Sequence, residues 1–234
     1  NERMRIIFLL FLMFVGNLLS DDINDPFEDF NRKTFDFNEK LDDKIAKPLA
    51  EVYSKTPKPI KKGVTNFFNN LEEIDTSINQ LLQGKVKFFF NDFSRFIINS
   101  TIGLAGFIDV ATKIGLDRHD EDFGQTLAVW GVESGPYIML PFFGPSTLRD
   151  TLTKPVSSIL SVTFHMTDTD VNITLRGIDA IETRERLLGI ESLLSGDKYN
   201  FVKDAYVQSM YFEIKDGVDV EDTFIDDMDD FLID

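Results

Sequence analysis

Histidine and cysteine, which many enzymes use as general base and nucleophile, are scarce or absent in this sequence. His119 and His165 are the only histidines, and there is no cysteine. Ser134 stands between Gly131 and Gly135, but Gly-Val-Glu-Ser-Gly differs from the Gly-x-Ser-x-Gly turn that exposes a lipase nucleophile. The lack of cysteine excludes disulfides, thiol catalysis, cysteine-based zinc sites and cysteine lipidation in this chain. We therefore expect a protein that is not an enzyme.

Two further motifs resemble binding sites without matching them. The acidic run at 117–122 lacks the ligand spacing of an EF-hand, so we expect a solvated acidic loop there. Gly103 and Gly106 are not followed by the Gly-Lys-Ser/Thr of a phosphate-binding loop. No metal or other cofactor is therefore expected. The adjacent charges of Arg149 and Asp150, and those at 182–186, indicate buried or interfacial ion pairs instead.

The composition is that of a folded protein with an unusual number of phenylalanines. The chain has 234 residues, enough for one domain or two small ones, and 43% of them are hydrophobic. Phenylalanine occurs 23 times, against five tyrosines and one tryptophan. Forty acidic residues against 24 basic ones give a net charge of −16. Because nucleic-acid binding needs a basic face, this charge argues against a nucleic-acid partner.

The first 20 residues are typical of a targeting segment. Arg3 and Arg5 precede an apolar run at 6–16, which as a helix spans roughly 16 Å, about half of a bilayer core. We interpret residues 1–20 as a secretory signal that is cut near Ser20, with an uncleaved N-terminal anchor as the alternative. No later stretch is long and apolar enough for an ordinary spanning helix.

The charges are unevenly distributed. Residues 213–234 contain ten acidic residues and one lysine, whereas residues 44–62 contain six lysines and one glutamate. The acidic tail at 215–234 is either solvated and disordered, or a short helix that docks on a basic partner through Phe224, Met228 and Phe231. The lysine stretch is either a solvated helix face or a contact with anionic lipid headgroups.

Helical periodicity dominates the remaining chain and predicts an all-α fold. The stretch Asp25-Pro26-Phe27-Glu28 places a capping aspartate before a proline, which favours a helix start. Gly84 is expected to end a later helix. Further helices are expected across 146–163, 174–194 and 198–214.

Two stretches remain open to alternative interpretations. Residues 131–145 are apolar but rich in glycine and proline, which fits either a structural loop over the core or a lipid-contacting, gating loop. The phenylalanine-rich helix at 86–97 has an apolar face that could lie in a lipid leaflet or line a closed pocket. The second case describes a soluble periplasmic helical lipid-binding protein.

Several segments together resemble the MlaA/VacJ family of bacterial outer-membrane lipid-transport proteins. They occur in order between residues 25 and 214, and the block from 123 to 150 is the most specific. The segments are DPFEDFNR at 25–32, FDFN at 35–38, NLEE at 70–73, INQLLQG at 78–84, RFIINSTIG at 95–103, GFIDVA at 106–111, FGQTL at 123–127, WGV at 130–132, GPY at 135–137, LP at 140–141, GPSTLRD at 144–150, IETR at 181–184 and DAY at 204–206.

This resemblance implies a ring of amphipathic helices at 21–214 that is embedded in the periplasmic leaflet of the outer membrane, with a central lipid path. It implies non-enzymatic phospholipid transport: mislocalised phospholipid is removed from the outer leaflet and passed to a periplasmic lipid-carrier protein, beside a trimeric porin. Family members are commonly anchored through an acylated cysteine. Here the expected anchor is either the embedded ring itself or a retained N-terminal helix.

The resemblance also implies which residues form the lipid path or its gate. The resemblance implies that residues 113–123, together with the glycine-rich segment beside them, act as a gating loop. The implied path or gate residues are Phe37, Asn38, Gly103, Gly106, Phe123, Gly124, Gly131, Gly135, Pro136, Arg149 and Asp150.

Overall fold

The computed structural model describes residues 25–160, 169–189 and 196–216, and within them the fold is helical with one small β-hairpin. The all-α prediction is confirmed. In chain order the elements are α1 (Glu28–Leu41), a π-helical turn (Asp42–Ala46), α2 (Lys47–Tyr53), α3 (Lys58–Leu82), α4 (Val86–Thr101), a 3-10 turn (Thr112–Ile114), α5 (Phe123–Val129), β1 (Tyr137–Leu140), β2 (Gly144–Thr147), α6 (Leu148–Leu160), α7 (Thr169–Leu187) and α8 (Lys198–Ile214).

Helices α3 and α4 form the longest packed pair of the fold. The 25-residue helix α3 ends where Gly84 adopts a left-handed φ of +77°, as the sequence predicted. The chain then reverses into α4 within a few residues. This pair provides the surface on which the segment between α4 and α5 lies.

The start of α1 differs from the prediction. The helix begins at Glu28 with Phe27 at the cap position, and no side chain caps it. The Asp25 carboxylate instead accepts hydrogen bonds from Asn31 Nδ2 at 2.7 Å and from the Tyr199 hydroxyl. Asp25 therefore joins α1 to α8 rather than capping a helix, because its acceptor atoms are taken by distant donors.

The stretch 131–145, expected to be a loop, contains most of an antiparallel hairpin. Tyr137 pairs with Thr147 and Leu140 with Gly144. The hairpin also moves the start of α6 to Leu148, whereas a helix was expected from 146. Helix α7 begins at Thr169 rather than at 174, and α8 matches its predicted bounds. Residues 161–163 and 190–194 of the predicted helices lie outside the described residues. Four-residue strands are too short to produce a visible alternation, so only the glycines and prolines of this stretch are recognisable in the sequence.

Buried side chains in the described residues are mostly polar, and large exposed ones are often apolar. Seven apolar side chains are buried, with Tyr137, Met139 and Tyr199 forming the one apolar cluster recorded there, whereas nineteen polar or charged residues are buried. Phe68 is the single buried phenylalanine of the described part. No helix in the described ranges is both long and apolar enough to cross a membrane.

Candidate functional site

Arg95 is the centre of a polar seam between α3, α4 and the segment that follows α4. Its side chain is 2% exposed, and its Nε donates to Glu73 Oε1 at 2.7 Å. Its Nη1 donates to the Leu116 carbonyl at 2.5 Å and to Thr112 Oγ1 at 3.0 Å, and its Nη2 lies 3.5 Å from Asp109 Oδ2. One guanidinium therefore fastens residues 109–116 onto both long helices.

Asp92 is a second buried member of the seam, one turn before Arg95. Its Oδ2 accepts from Gln80 Nε2 at 2.5 Å and lies 2.8 Å from His119 Nδ1. The His119 ring also packs against the Phe88 ring, with centroids 4.5 Å apart. His119 therefore has a structural partner that accounts for its position without catalysis.

The acidic run 117–122 is only in part the solvated loop that the sequence predicts: Asp117, Asp120 and Asp122 are exposed, but Glu121 is not. Glu121 is buried and accepts from Lys85 Nζ at 2.7 Å and from Gln83 Nε2 at 2.6 Å. Arg118 pairs with Glu72 at 2.8 Å. Lys85, between α3 and α4, therefore neutralises the one buried acid of the run, and the local sequence of the run does not show this partner. Within the described residues no cluster of acidic or histidine side chains has the arrangement of a metal site.

Burial changes the titration of Glu73. Burial away from water raises the pKa of this carboxyl group to about 7, although the hydrogen bond and positive charge of Arg95 lower it. The same ion pair raises the pKa of Arg95. The seam therefore contains a carboxyl group that titrates near neutral pH, next to a guanidinium that stays charged.

A cleft of about 220 Å³ opens beside this seam, between α3 and the start of α5. Its wall is largely acidic and amide-bearing, with Ile78 and Phe123 as apolar members. The lining residues are Glu72, Asp75, Thr76, Ile78, Asn79, Asp120, Glu121, Asp122, Phe123 and Ser157.

Five of the predicted site residues meet where α5, the hairpin and α6 join. Arg149 Nε contacts Asp150 Oδ1 at 2.9 Å in a largely buried ion pair, which confirms the pairing predicted for these neighbours. A Cβ on Gly124 would lie 2.5 Å from Asp150 Oδ1. The Pro136 carbonyl accepts from Leu148 N at 3.0 Å, and Gly135 has a left-handed φ of +66°.

Phe37 and Asn38 lie together at the tip of the hairpin. Asn38 Nδ2 donates to the Leu140 carbonyl at 2.9 Å, and its Oδ1 accepts from Phe142 N at 2.9 Å. The rings of Phe37 and Phe142 meet edge to face at 5.3 Å. Two turns earlier, Asn31 makes the same pair of bonds, to the Tyr137 carbonyl and Met139 N. These two asparagines pair with the outer edge of β1 in place of a third strand.

The remaining predicted residues lie in other places. Gly103 and Gly106 form the tight turn after α4, where a Cβ on Gly106 would lie 2.7 Å from Asn70 Cβ. Phe123 lines the cleft and meets Trp130 edge to face at 6.5 Å. Gly131 is exposed, with a φ of +87°. The predicted partner-contact residues Phe224, Met228 and Phe231 lie outside the described residues.

Sequence reasoning missed the buried charges and one of the two asparagines. The expected ion pairing at 182–186 is present: Arg184 binds the Asp42 carboxylate through two bonds of 2.6 and 2.7 Å, and Lys61 binds Glu185 at 2.5 Å. The sequence analysis does not propose Arg95, although an arginine within an apolar helical stretch is a signal for a buried charge. The seven-residue spacing of Asn31 and Asn38, which places both on one helix face, is the signal that could have identified the second asparagine.

The exterior of the described chain is rich in large apolar side chains. Phe142 and Phe143 at the hairpin tip are 70% and 73% exposed, and Phe90, Phe93 and Ile97 are exposed along α4. Such continuous apolar exposure, around a polar interior, defines the class: a helical protein whose surface suits contact with lipid. Residues 23–213 match the MlaA lipoprotein family, and the chain belongs to this family.

Named relatives cover most of the chain. The intermembrane phospholipid transport system lipoprotein MlaA of Shigella flexneri is 37% identical over 201 residues, which are 83% of this chain and 80% of the relative. The protein of the same name from Haemophilus influenzae is 35% identical over 205 residues, or 85% of this chain and 82% of the relative. A solved structure described as the structural basis for maintenance of bacterial outer membrane lipid asymmetry is similar with a TM-score of 0.74 and 36% identity, over 82% of this chain and 99% of that one.

Proposed function

We propose that this protein transports phospholipid without chemical catalysis and thereby maintains the lipid asymmetry of the outer membrane. It removes mislocalised phospholipid from the outer leaflet and passes it to a periplasmic lipid-carrier protein. Membership of the MlaA family and the names of its relatives support this function.

The observation that carries the proposal is the inverted distribution of side chains. A phenylalanine side chain offers roughly 150–250 Å². At about 25 cal/mol per Å², moving half of that area from water into lipid contributes roughly 2–3 kcal/mol per ring. Ten exposed phenylalanines in the described residues supply many such contributions. This exposure also disfavours the soluble lipid-binding protein, in which the same rings would line a closed pocket.

We further propose that the lipid path runs beside the polar seam. The cleft between α3 and α5 combines apolar wall atoms, which suit an acyl chain, with five carboxyl-bearing residues, and Phe123 lies at its edge. Residues 113–123 and the hairpin form the gate, and the left-handed glycines Gly131 and Gly135 permit the hairpin to move. Cross-links that fix residues 113–123 to a neighbouring helix should stop transport, and undiminished transport would contradict this gate.

The location and partners follow from the same proposal. The helices lie in the periplasmic leaflet after export by the signal at 1–20, and the apolar exterior retains the protein there. A trimeric porin stands beside the domain at 21–214. Residues 215–234 provide a partner contact through Phe224, Met228 and Phe231.

The transport function is tested in cells with and without this protein. Outer-leaflet phospholipid is measured with an amine-reactive label that does not cross the outer membrane. Cells without the protein should label more strongly, and restoring the protein should reverse the change. Equal labelling in both strains would contradict transport.

Membrane residence is tested separately with two exterior variants. Phe90→Ser combined with Phe93→Ser should shift the protein from the membrane fraction toward the soluble fraction, because two exposed rings are lost. Asp29→Ser combined with Lys33→Ser, which also changes two exposed residues, is the control. Release of the unaltered protein by osmotic shock would favour the soluble alternative.

A further inference from the structure

Four exposed lysines between the π-helical turn and the first turns of α3 have side chains that the fold does not use. They form the lysine patch: Lys44, Lys55, Lys58 and Lys62. None of their side chains makes an ion pair or hydrogen bond with another residue in the parts of the chain that the structure describes. By contrast Lys61, between two members of the patch, binds Glu185, and Lys85 binds Glu121.

Exposed apolar side chains alternate with these lysines. Ile45 is 53% exposed and Val52 65%, and Leu49 lies between them at helical spacing. Ile60, which is also exposed, stands between Lys58 and Lys62. Lysines beside exposed apolar side chains are typical of the boundary between lipid and water, where the stem contacts hydrocarbon and the ammonium reaches the headgroups.

We propose that the lysine patch binds anionic phospholipid headgroups and fixes this edge of the protein at the membrane surface. The inference rests on the proposed function, because it requires the protein to lie in a leaflet. Charge complementarity identifies the ligand: four unpaired cations beside exposed apolar side chains match a surface that carries phosphates and hydrocarbon together. The patch thereby holds the protein at a fixed depth, whereas its phenylalanine exterior binds lipid of any charge.

The acidic C-terminal segment of the same chain is a less suitable occupant of the patch. Asp216, the last residue that the structure describes, pairs with Lys85. Lys85 follows the C-terminal end of α3, while Lys58 and Lys62 lie at its N-terminal end. The 25 residues of α3 separate these ends by about 37 Å. A lipid surface reaches the patch directly, whereas the acidic segment begins far from it.

The test compares two fourfold variants of the full chain that change the net charge equally. One replaces the patch, as Lys44→Gln, Lys55→Gln, Lys58→Gln and Lys62→Gln. The control replaces four exposed lysines elsewhere, as Lys33→Gln, Lys87→Gln, Lys154→Gln and Lys215→Gln. Binding is measured by flotation with phosphatidylcholine vesicles and with vesicles in which a third of the lipid is phosphatidylglycerol. Circular dichroism confirms that each variant is folded.

The patch variant should lose roughly 10²–10³-fold of the binding advantage for anionic vesicles, given the known contribution of each lysine near such a surface. The control variant should keep most of that advantage, and added salt should remove it from the unaltered protein. Equal losses in both variants, or no loss in the patch variant, would overturn the proposal.

Two further results separate the possible causes of failure. If deletion of residues 217–234 increases binding to anionic vesicles while the patch variant binds as the unaltered protein does, the patch is not a lipid site. If the unaltered protein binds neither kind of vesicle, the proposed function itself is contradicted. Binding to neutral vesicles with no patch effect overturns the patch alone.

Discussion

Replacing Arg95 by methionine tests the role of the polar seam directly. Methionine keeps much of the length of the side chain but removes every hydrogen bond that the guanidinium makes. Glu73 and Asp92, which are 1% and 0% exposed as side chains, then lose their nearest cation. Residues 109–116 lose their bonds to Arg95 at Asp109, Thr112 and Leu116.

The expected cost follows from the burial of this pair. Removing one partner of a buried ion pair typically costs about 3–5 kcal/mol, because the other charge stays buried without compensation. For a domain of this size, roughly 2–4 °C of melting temperature correspond to 1 kcal/mol. We therefore expect Arg95→Met to lower the melting temperature by roughly 6–20 °C.

Arg118→Met provides a matched control. Arg118 pairs with Glu72 at 2.8 Å, but the two side chains are 28% and 52% exposed. Exposed pairs of this kind contribute about 0–1 kcal/mol, so this variant should melt within a few degrees of the unaltered protein.

The assay is thermal unfolding of the full chain in detergent micelles, followed by circular dichroism. Adding Glu73→Leu to Arg95→Met should recover part of the loss, since it removes a buried carboxyl group that has lost its hydrogen-bond partner. Equal melting of Arg95→Met and Arg118→Met would refute the argument that the seam organises this fold.

Three other substitutions give distinct outcomes. Gly124→Ala should lower the melting temperature at a cost of about 1–3 kcal/mol, because its Cβ would lie 2.5 Å from Asp150 Oδ1. The control Gly177→Ala, whose Cβ would have nothing within 4 Å, should leave the melting temperature unchanged or raise it. Equal effects of the two substitutions would contradict the close packing of Gly124 against Asp150. Asn38→Ala should speed hydrogen exchange at the hairpin tip, since two backbone bonds lose their partner, and unchanged exchange would show that the tip is held otherwise. Burial raises the pKa of Glu73 to about 7 in the folded protein, so protonation of this group stabilises the folded state. This stabilisation is complete below the unfolded pKa of about 4.5 and is lost as the pH rises through 7. Glu73→Gln should therefore gain on the unaltered protein by about 1–3 kcal/mol between pH 5 and 8 in unfolding experiments, and parallel pH profiles would contradict the shift.

Local signals predicted much of the secondary structure. The end of α3 was predictable because a single glycine, Gly84, takes the left-handed backbone conformation that ends the helix. The bounds of α8 follow from an uninterrupted helical pattern. The hairpin could not be predicted, since its strands have four residues each and the partners of its outer edge and tip, Asn31 and Asn38, lie about a hundred residues away. Helical periodicity also does not state whether an apolar stripe faces protein or lipid.

The candidate site was predictable only where its partners are neighbours in sequence. Arg149 and Asp150 are adjacent, and their pairing was expected and is present. Glu73 and Arg95 stand 22 positions apart on two helices, so their contact depends on how α3 packs against α4. Lys85 and Glu121 are separated by 36 positions, so their ion pair could not be read from the local sequence either.

The inverted distribution of side chains assigns different roles to lipid and to the seam. Lipid accepts exposed rings such as Phe90 and Phe143 with similar free energies in many arrangements, because contact with hydrocarbon is not directional. It can therefore retain the helices without selecting how they pack. Hydrogen bonds and ion pairs are directional, and a misplaced helix would leave Arg95 and Glu73 buried without partners. We infer that the polar seam selects one arrangement of α3 and α4, while lipid, in the membrane setting proposed above, supplies the apolar contact that a soluble protein finds in its core.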